Sequence, residues 1–277
     1  MHMEQMQPKK LRLGVVNFLN ATPLIDGIAS LNGVQLLSKV PSELIGCLER
    51  NEVDIALASS IDYQRSKKQL KVLPVGVLSS DGETLTVRLC SKKPFEDIKE
   101  VHCDVDSHTS IALMQIILQK KFGVSPKVIA CDVRALGSNQ EDWPVTVLMI
   151  GDKVVTNTTG DAFEYALDLG HEWHEQTGLP FVFATWFGAS DVDCEIVQKA
   201  RMVLDRQRRC NTNRIEQVVS THAPIRGWDV DTAHRYLTEH IQYTFTDVHQ
   251  EALELFYALA HSVGVIKEVR PLRFFGT

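Results

Sequence analysis

Five short polar clusters have the residue types to hold a small molecule. They are Asn17 with Asn20, Ser59 with Ser60, Thr84 with Thr86 and Arg88, Ser107 with Thr109 and Ser110, and Gly151 with Asp152. Hydroxyl, amide and backbone N–H groups bind a small anion by donating hydrogen bonds, and few formal charges stand among them. Thr109 and Ser110 precede the apolar run Ile111 to Phe122, which reads as a helix. Free N–H groups at a helix start attract anions, and adjacent hydroxyls add donors. The same residue types cap helices with no ligand involved, so that plainer reading stands beside the first. Thr84, Thr86 and Arg88 have period-two spacing, which points all three to one side of a strand.

Other chemistries lack their residues. No Ser-His-Asp order, glycine-rich phosphate loop or Walker-type lysine is present. His171 and His174, within His171-Glu172-Trp173-His174-Glu175, share one helical face. The spacing is not HExxH and no third ligand is evident, so they read as a solvent-facing or locally hydrogen-bonded pair. No metal and no cofactor is expected. Asp81-Gly82 reads as a turn. Trp173, Trp186, Phe181 and Phe183 read as core or hinge packing.

The elements that must position these clusters follow from apolar periodicity and its breakers. Strands are predicted at Leu11 to Phe18, Val34 to Val40 and Val53 to Ala58, with a helix from Pro41 that stops near Asn51. Further strands are predicted at Leu85 to Cys90, Val101 to Val105, Lys127 to Cys131, Val145 to Ile150 and Phe181 to Trp186. Gly123 is the expected stop of the Ile111 helix. Helices then fill Cys194 to Cys210, Asn213 to Ser220, Val230 to His240 and Asp247 to Val263. Alternating strand and helix signals mean an α/β protein with mainly parallel sheets. Four of the polar clusters fall at carboxyl ends of strands, where open α/β sheets bind ligands.

The chain has 277 residues, 44% hydrophobic and 23% charged, a globular composition with room for two lobes. No polar linker separates the halves. Two strand crossings, near Leu85 to Cys90 and Phe181 to Trp186, would instead insert one lobe into the other. The expected division is a discontinuous lobe of residues 10–87 and 183–277, with an inserted lobe of residues 88–182. A ligand between the lobes would be shielded by hinge closure. The net charge of -6 argues against a nucleic-acid binder. The basic stretch Arg201 to Arg214 contains Asp205 and reads as a solvated helix face. No transmembrane run exists, and Met1 to Lys10 lacks the apolar core of a secretory signal. Six scattered cysteines without a CxxC pair fit reduced thiols, hence a cytoplasmic protein, monomer or homodimer.

Leu11 to Gly14 with Phe18-Leu19-Asn20-Ala21-Thr22-Pro23-Leu24 resembles the chorismate dehydratases of the futalosine route to menaquinone. The resemblance continues through Val53 to Leu57 with Ser59-Ser60, Ser80-Asp81-Gly82 with Thr86, and Ser107 with Thr109-Ser110. It then includes Ile150-Gly151-Asp152, Asp168-Leu169-Gly170 to Glu172-Trp173, and Thr177 to Ala184 with Trp186. That family resembles type II periplasmic binding proteins in fold, which agrees with an inserted lobe. The resemblance implies loss of water from chorismate to give 3-[(1-carboxyvinyl)oxy]benzoate. It places the family's active-site asparagine on Asn20 and its hydroxyl residue, often serine in relatives, on Thr86. Ser59, Ser60, Ser107, Thr109, Ser110 and Asp152 are the expected substrate-binding set. Asn17 and Arg88 depart from the family pattern, and Arg88 would bring a charge to the cleft.

Two other readings share these residues. A non-catalytic sensor or carrier of a small carboxylate uses the same scaffold, because one fold serves many functions. The sister family that makes dihydroxynaphthoate relies on a histidine, with no counterpart in the matching segments. A helical partner-binding protein built on the C-terminal third is a third reading.

Overall fold

A computed structural model describes residues 9–136, 142–156 and 163–276; of the N-terminal reading, residues 1–8 lie outside that range. The chain opens with β1 (Leu11–Val15), then a 3-10 turn at Leu19–Ala21 and α1 (Thr22–Ile25). β2 (Val34–Ser38), α2 (Pro41–Glu49) and β3 (Ile55–Ser59) complete a parallel unit. Pro41 suits a first helical turn, and Asn51, at φ 57°, ends the segment in the left-handed region. α3 (Asp62–Arg65) then leads into β4 (Leu70–Ser80).

A second sheet follows. It comprises β5 (Val87–Ser91), β6 (Glu100–Asp104), then α4 (His108–Phe122), β7 (Lys127–Cys131), β8 (Thr146–Ile150), α5 (Lys153–Thr156) and β9 (Tyr165–Asp168). α6 (Leu169–Thr177) returns the chain to β10 (Phe181–Ala189) in the first sheet. The remainder is α7 (Cys194–Asn213), α8 (Ile215–His222), α9 (Val230–Arg235), a π-helical turn at Tyr236–His240, β11 (Ile241–Gln242) and α10 (Asp247–Ser262). Among the described residues no helix is long and apolar enough to cross a membrane.

The first sheet has the order β11-β4-β10-β3-β1-β2 and the second β7-β6-β8-β5-β9. Each sheet carries helices, giving a two-lobed α/β fold. The crossings differ from expectation in detail. β5 belongs wholly to the second sheet and β10 wholly to the first, so the chain passes between sheets just before each, at residues 81–86 and 169–180. The sequence reading also missed β4. Pro74 and Gly76 look like breakers, and the strand accommodates them as a bulge where its register with β10 jumps from Leu73 to Val77.

Candidate functional site

A cavity of about 60 Å³ lies between the two sheets. Asn20, Ser59 and Phe183 line it from the first lobe, and Ser107, Ser110 and Gly151 from the second, with Thr86 at the crossing. Among the described lining residues none carries a formal charge. Three of the expected binding residues, Ser59, Ser107 and Ser110, thus meet Asn20 and Thr86 around one space.

The hydroxyls at the start of α4 have defined partners. Ser107 caps the helix by accepting the Ser110 N–H at 3.2 Å, and its own hydroxyl donates to Ser110 Oγ at 2.9 Å. That order leaves the Ser110 proton free to point toward the cavity. Ser59 makes no side-chain hydrogen bond among the described residues although it is buried, so its hydroxyl is an unused donor at the cavity wall. The Asn20 Oδ1 is likewise buried without a partner. A buried polar atom is costly to leave unpaired, which makes these two positions candidates for holding a ligand.

Thr86 is held from two sides. Its Oγ1 lies 2.8 Å from the Tyr236 hydroxyl and 3.4 Å from the Thr84 carbonyl. Tyr236 is 1% exposed, in the π-helical turn, and stacks on Trp228 at 4.9 Å. Burial pushes its phenol well above the ordinary value, opposed by hydrogen bonding with Thr86 and Asn20. Sequence reading missed Tyr236, because an aromatic residue within a helical pattern looks like core.

The other three expected binding residues do not line the cavity. The Ser60 hydroxyl donates to the Val182 carbonyl at 2.6 Å, fixing β3 against β10. Thr109 Oγ1 accepts the Ile61 N–H at 3.2 Å, a bond between the lobes. Asp152 accepts the Leu19 N–H at 3.3 Å with both oxygens, and Arg226 Nε lies 3.9 Å away. Its carboxylate therefore caps a helical turn of the opposite lobe. Burial raises its pKa above the ordinary carboxylate value, while the Leu19 N–H and Arg226 oppose the rise. Arg226 also donates to Asn17 Oδ1 at 2.7 Å, which accounts for the amide at that position. His108 Nδ1 and the buried Asp62 add a third link between lobes at 2.8 Å.

Arg88 is a correction. The side chain is exposed and absent from the cavity lining: Leu85 adopts φ 59° between Thr84 and Thr86, and Thr86 and Val87 both line the cavity, so the period-two alternation does not extend to Arg88. Asp168 enforces that kink. It accepts N–H bonds from Thr84 at 3.0 Å and Leu85 at 2.9 Å on one crossing, and from Gly170 at 3.1 Å and His171 at 3.2 Å on the other. The Thr84 hydroxyl adds a fifth bond at 3.0 Å. The Asp168-Leu169-Gly170 to Glu172-Trp173 segment is therefore hinge architecture. Glu172 binds Lys121 at 2.5 Å, and Trp173 packs edge-on against Phe181 at 5.2 Å. Phe183 departs from the expected packing role by reaching the cavity.

His174 lies 2.9 Å from the Asp81 carboxylate and His171 is exposed. Among the described residues no three His, Cys, Asp or Glu side chains converge as a metal site requires. Lys153, next to Asp152, is bound by the buried carboxylates of Asp104 and Asp106.

Two lobes, a double crossing and a donor-lined cavity between them define a protein of periplasmic-binding-protein-like fold. The alkanesulfonate-binding protein of Xanthomonas axonopodis pv. citri superposes with a TM-score of 0.70 at 14% identity, over 95% of this chain and 96% of that one. A Candida albicans protein described as having the generic periplasmic binding protein fold superposes at 0.57 with 12% identity, over 94% and 92%. Residues 11–262 match the family model described as menaquinone biosynthesis, and the chain belongs to that family. Its relatives include a chorismate dehydratase of Thermus thermophilus, 30% identical over 63% of this chain and 68% of that protein. A second chorismate dehydratase, from Campylobacter jejuni, is 27% identical over 86% and 88%.

Proposed function

We propose that this protein is a carbon–oxygen lyase that converts chorismate to 3-[(1-carboxyvinyl)oxy]benzoate and water, in the futalosine route to menaquinone. The observation that carries the reading is the uncharged cavity, in which Asn20 and Thr86 face the start of α4, within a chain of the menaquinone biosynthesis family. The two chorismate dehydratases among its relatives support chorismate as the substrate.

The chemistry suits such a cavity. Loss of the C3 proton and the C4 hydroxyl makes the ring aromatic, so the reaction is strongly driven. The protein has to orient the substrate, move one proton and release one hydroxyl. Charge left by the C3 proton spreads toward the ring carboxylate. The Ser110 hydroxyl, oriented by Ser107, and the N–H groups at the start of α4 grip that carboxylate and stabilise the transition state. Asn20 and Thr86 hold the departing hydroxyl or the second carboxylate, with Ser59 on the cavity wall. Ser60, Thr109 and Asp152 support the wall and the lobe contact.

General acid–base help is typically worth ~10²–10⁴-fold. With no charged side chain at the described cavity wall, the enolpyruvyl carboxylate of the substrate is the group assigned to take the C3 proton. The inserted lobe, entered at residues 81–86 and left at 169–180, is the unit that closes against the rest of the chain. Six free cysteines are in keeping with a reducing, cytoplasmic setting. Purified protein mixed with chorismate is expected to produce a new aromatic absorbance, formed much more slowly by Asn20→Ala and Thr86→Ala. Binding without product would replace the enzyme by a carboxylate sensor.

A further inference from the structure

We propose that Tyr236 is a positioning residue that sets the direction of the Thr86 hydroxyl, a claim that rests on the dehydratase reading of the cavity. A threonine hydroxyl has one proton and two lone pairs. Thr86 Oγ1 has two protein neighbours, the Tyr236 hydroxyl at 2.8 Å and the Thr84 carbonyl at 3.4 Å. The carbonyl can only accept. If Thr86 turns its proton there, or to Tyr236, the cavity faces lone pairs alone.

The phenol resolves the choice. Tyr236 is buried to 1% exposure, and Thr86 Oγ1 is the short hydrogen-bond partner of its hydroxyl among the described residues. A buried phenol needs an acceptor for its proton, and with Thr86 Oγ1 as that one short partner it donates there. Stacking on Trp228 with 16° between the ring planes fixes the ring, and Tyr236 opens the π-helical turn Tyr236–His240. Single π-helical turns of this kind occur frequently at functional sites. With Tyr236 donating, one lone pair of Thr86 is occupied and its own proton is left for the ligand. The long 3.4 Å approach to the Thr84 carbonyl competes weakly for that proton. Tyr236 does not line the cavity and acts only through Thr86.

A double-mutant cycle tests this, with turnover of chorismate as the readout and thermal unfolding of each variant as the control. Tyr236→Phe is expected to lower kcat about 3- to 10-fold, the worth of one redirected hydrogen bond, with KM changed less. In a Thr86→Val background the same change is expected to have no further effect on kcat. Thr86→Ser, which keeps the hydroxyl, is expected to restore the dependence on Tyr236. Equal losses from Tyr236→Phe in the wild-type and Thr86→Val backgrounds would show that Tyr236 acts through packing and would overturn the proposal. If the Tyr236→Phe variant does not fold, 3-fluorotyrosine at position 236 supplies the second arm, since it keeps the ring and hydroxyl but lowers the phenol pKa. An unmoved pH–rate profile is expected, and a profile that moves with the phenol would overturn positioning in favour of proton transfer. Failure of wild-type protein to turn over chorismate would instead remove the dehydratase reading, and this inference with it.

Discussion

Asp152 in one lobe accepts the backbone N–H of Leu19 in the other, at 3.3 Å from each carboxylate oxygen. The turn that begins at Leu19 carries Asn20, so a residue at the end of β8 holds a cavity residue supplied by the first sheet. This placement distinguishes support from chemistry, since Asp152 itself does not line the cavity.

Asp152→Asn keeps an acceptor for Leu19 and removes the charge. It is expected to change turnover of chorismate by less than about tenfold, the worth of the charge on one hydrogen bond. A loss on the ~10²–10⁴ scale of a general base would mean that Asp152 takes the proton. Steady-state kinetics of the purified variant decides between these results.

The hinge is tested at Gly170. A Cβ there would meet the Thr84 methyl, the Gly82 carbonyl at 2.6 Å and Ser80 Oγ at 2.7 Å, where the two crossings pass each other. Gly170→Ala is expected to destabilise the fold by about 1–3 kcal/mol through overpacking. Thr86, only two residues beyond Thr84, would be displaced with it. Urea unfolding should show the first effect and loss of turnover in the still-folded fraction the second. Wild-type stability and activity in this variant would contradict the hinge assignment.

Acid sensitivity is expected at His249, which closes a capping box at the start of α10. Its Nδ1 accepts the Thr246 N–H at 3.2 Å, while Nε2 lies 2.9 Å from Ser79 Oγ. Burial lowers its pKa below the ordinary imidazole value. The unfolded chain therefore binds the proton more readily than the folded one. Stability from neutral His249 is complete above pH of about 6.5 and is lost as pH falls toward the lower folded value. His249→Gln, a common residue at that capping position, should keep the helix start and abolish this part of the loss. Thermal unfolding of both proteins between pH 7 and about pH 5 measures it. Parallel curves for the two would rule out His249 as the sensor.

Much of this was legible in local signals. Gly123 stops α4 as expected, although the helix starts at His108, capped by Ser107, three residues before Ile111, and β7 falls at Lys127–Cys131 as its apolar pattern predicts. Asn20, Thr86, Ser107 and Ser110 meet in space because each stands near a strand end or crossing, the rule for open α/β sheets. What was not legible depends on tertiary context. Pro74 hides β4 because a bulge that tolerates proline has no sequence period. Arg88 was misplaced because the point where Thr86 and Val87 both turn to the cavity, ending the alternation, has no sequence signature of its own. Tyr236 was missed because a buried aromatic within a predicted helix looks like core, and only the tertiary contact with Thr86 distinguishes it.

The most direct test is to incubate the purified protein with chorismate, without added metal or cofactor, and to identify the product by mass spectrometry and proton NMR. The expected product is one water lighter than chorismate, with an aromatic ring and the enolpyruvyl ether intact. Recovery of unchanged chorismate from a protein that demonstrably binds it, or a product that has lost the enolpyruvyl group, would contradict dehydration in this cavity.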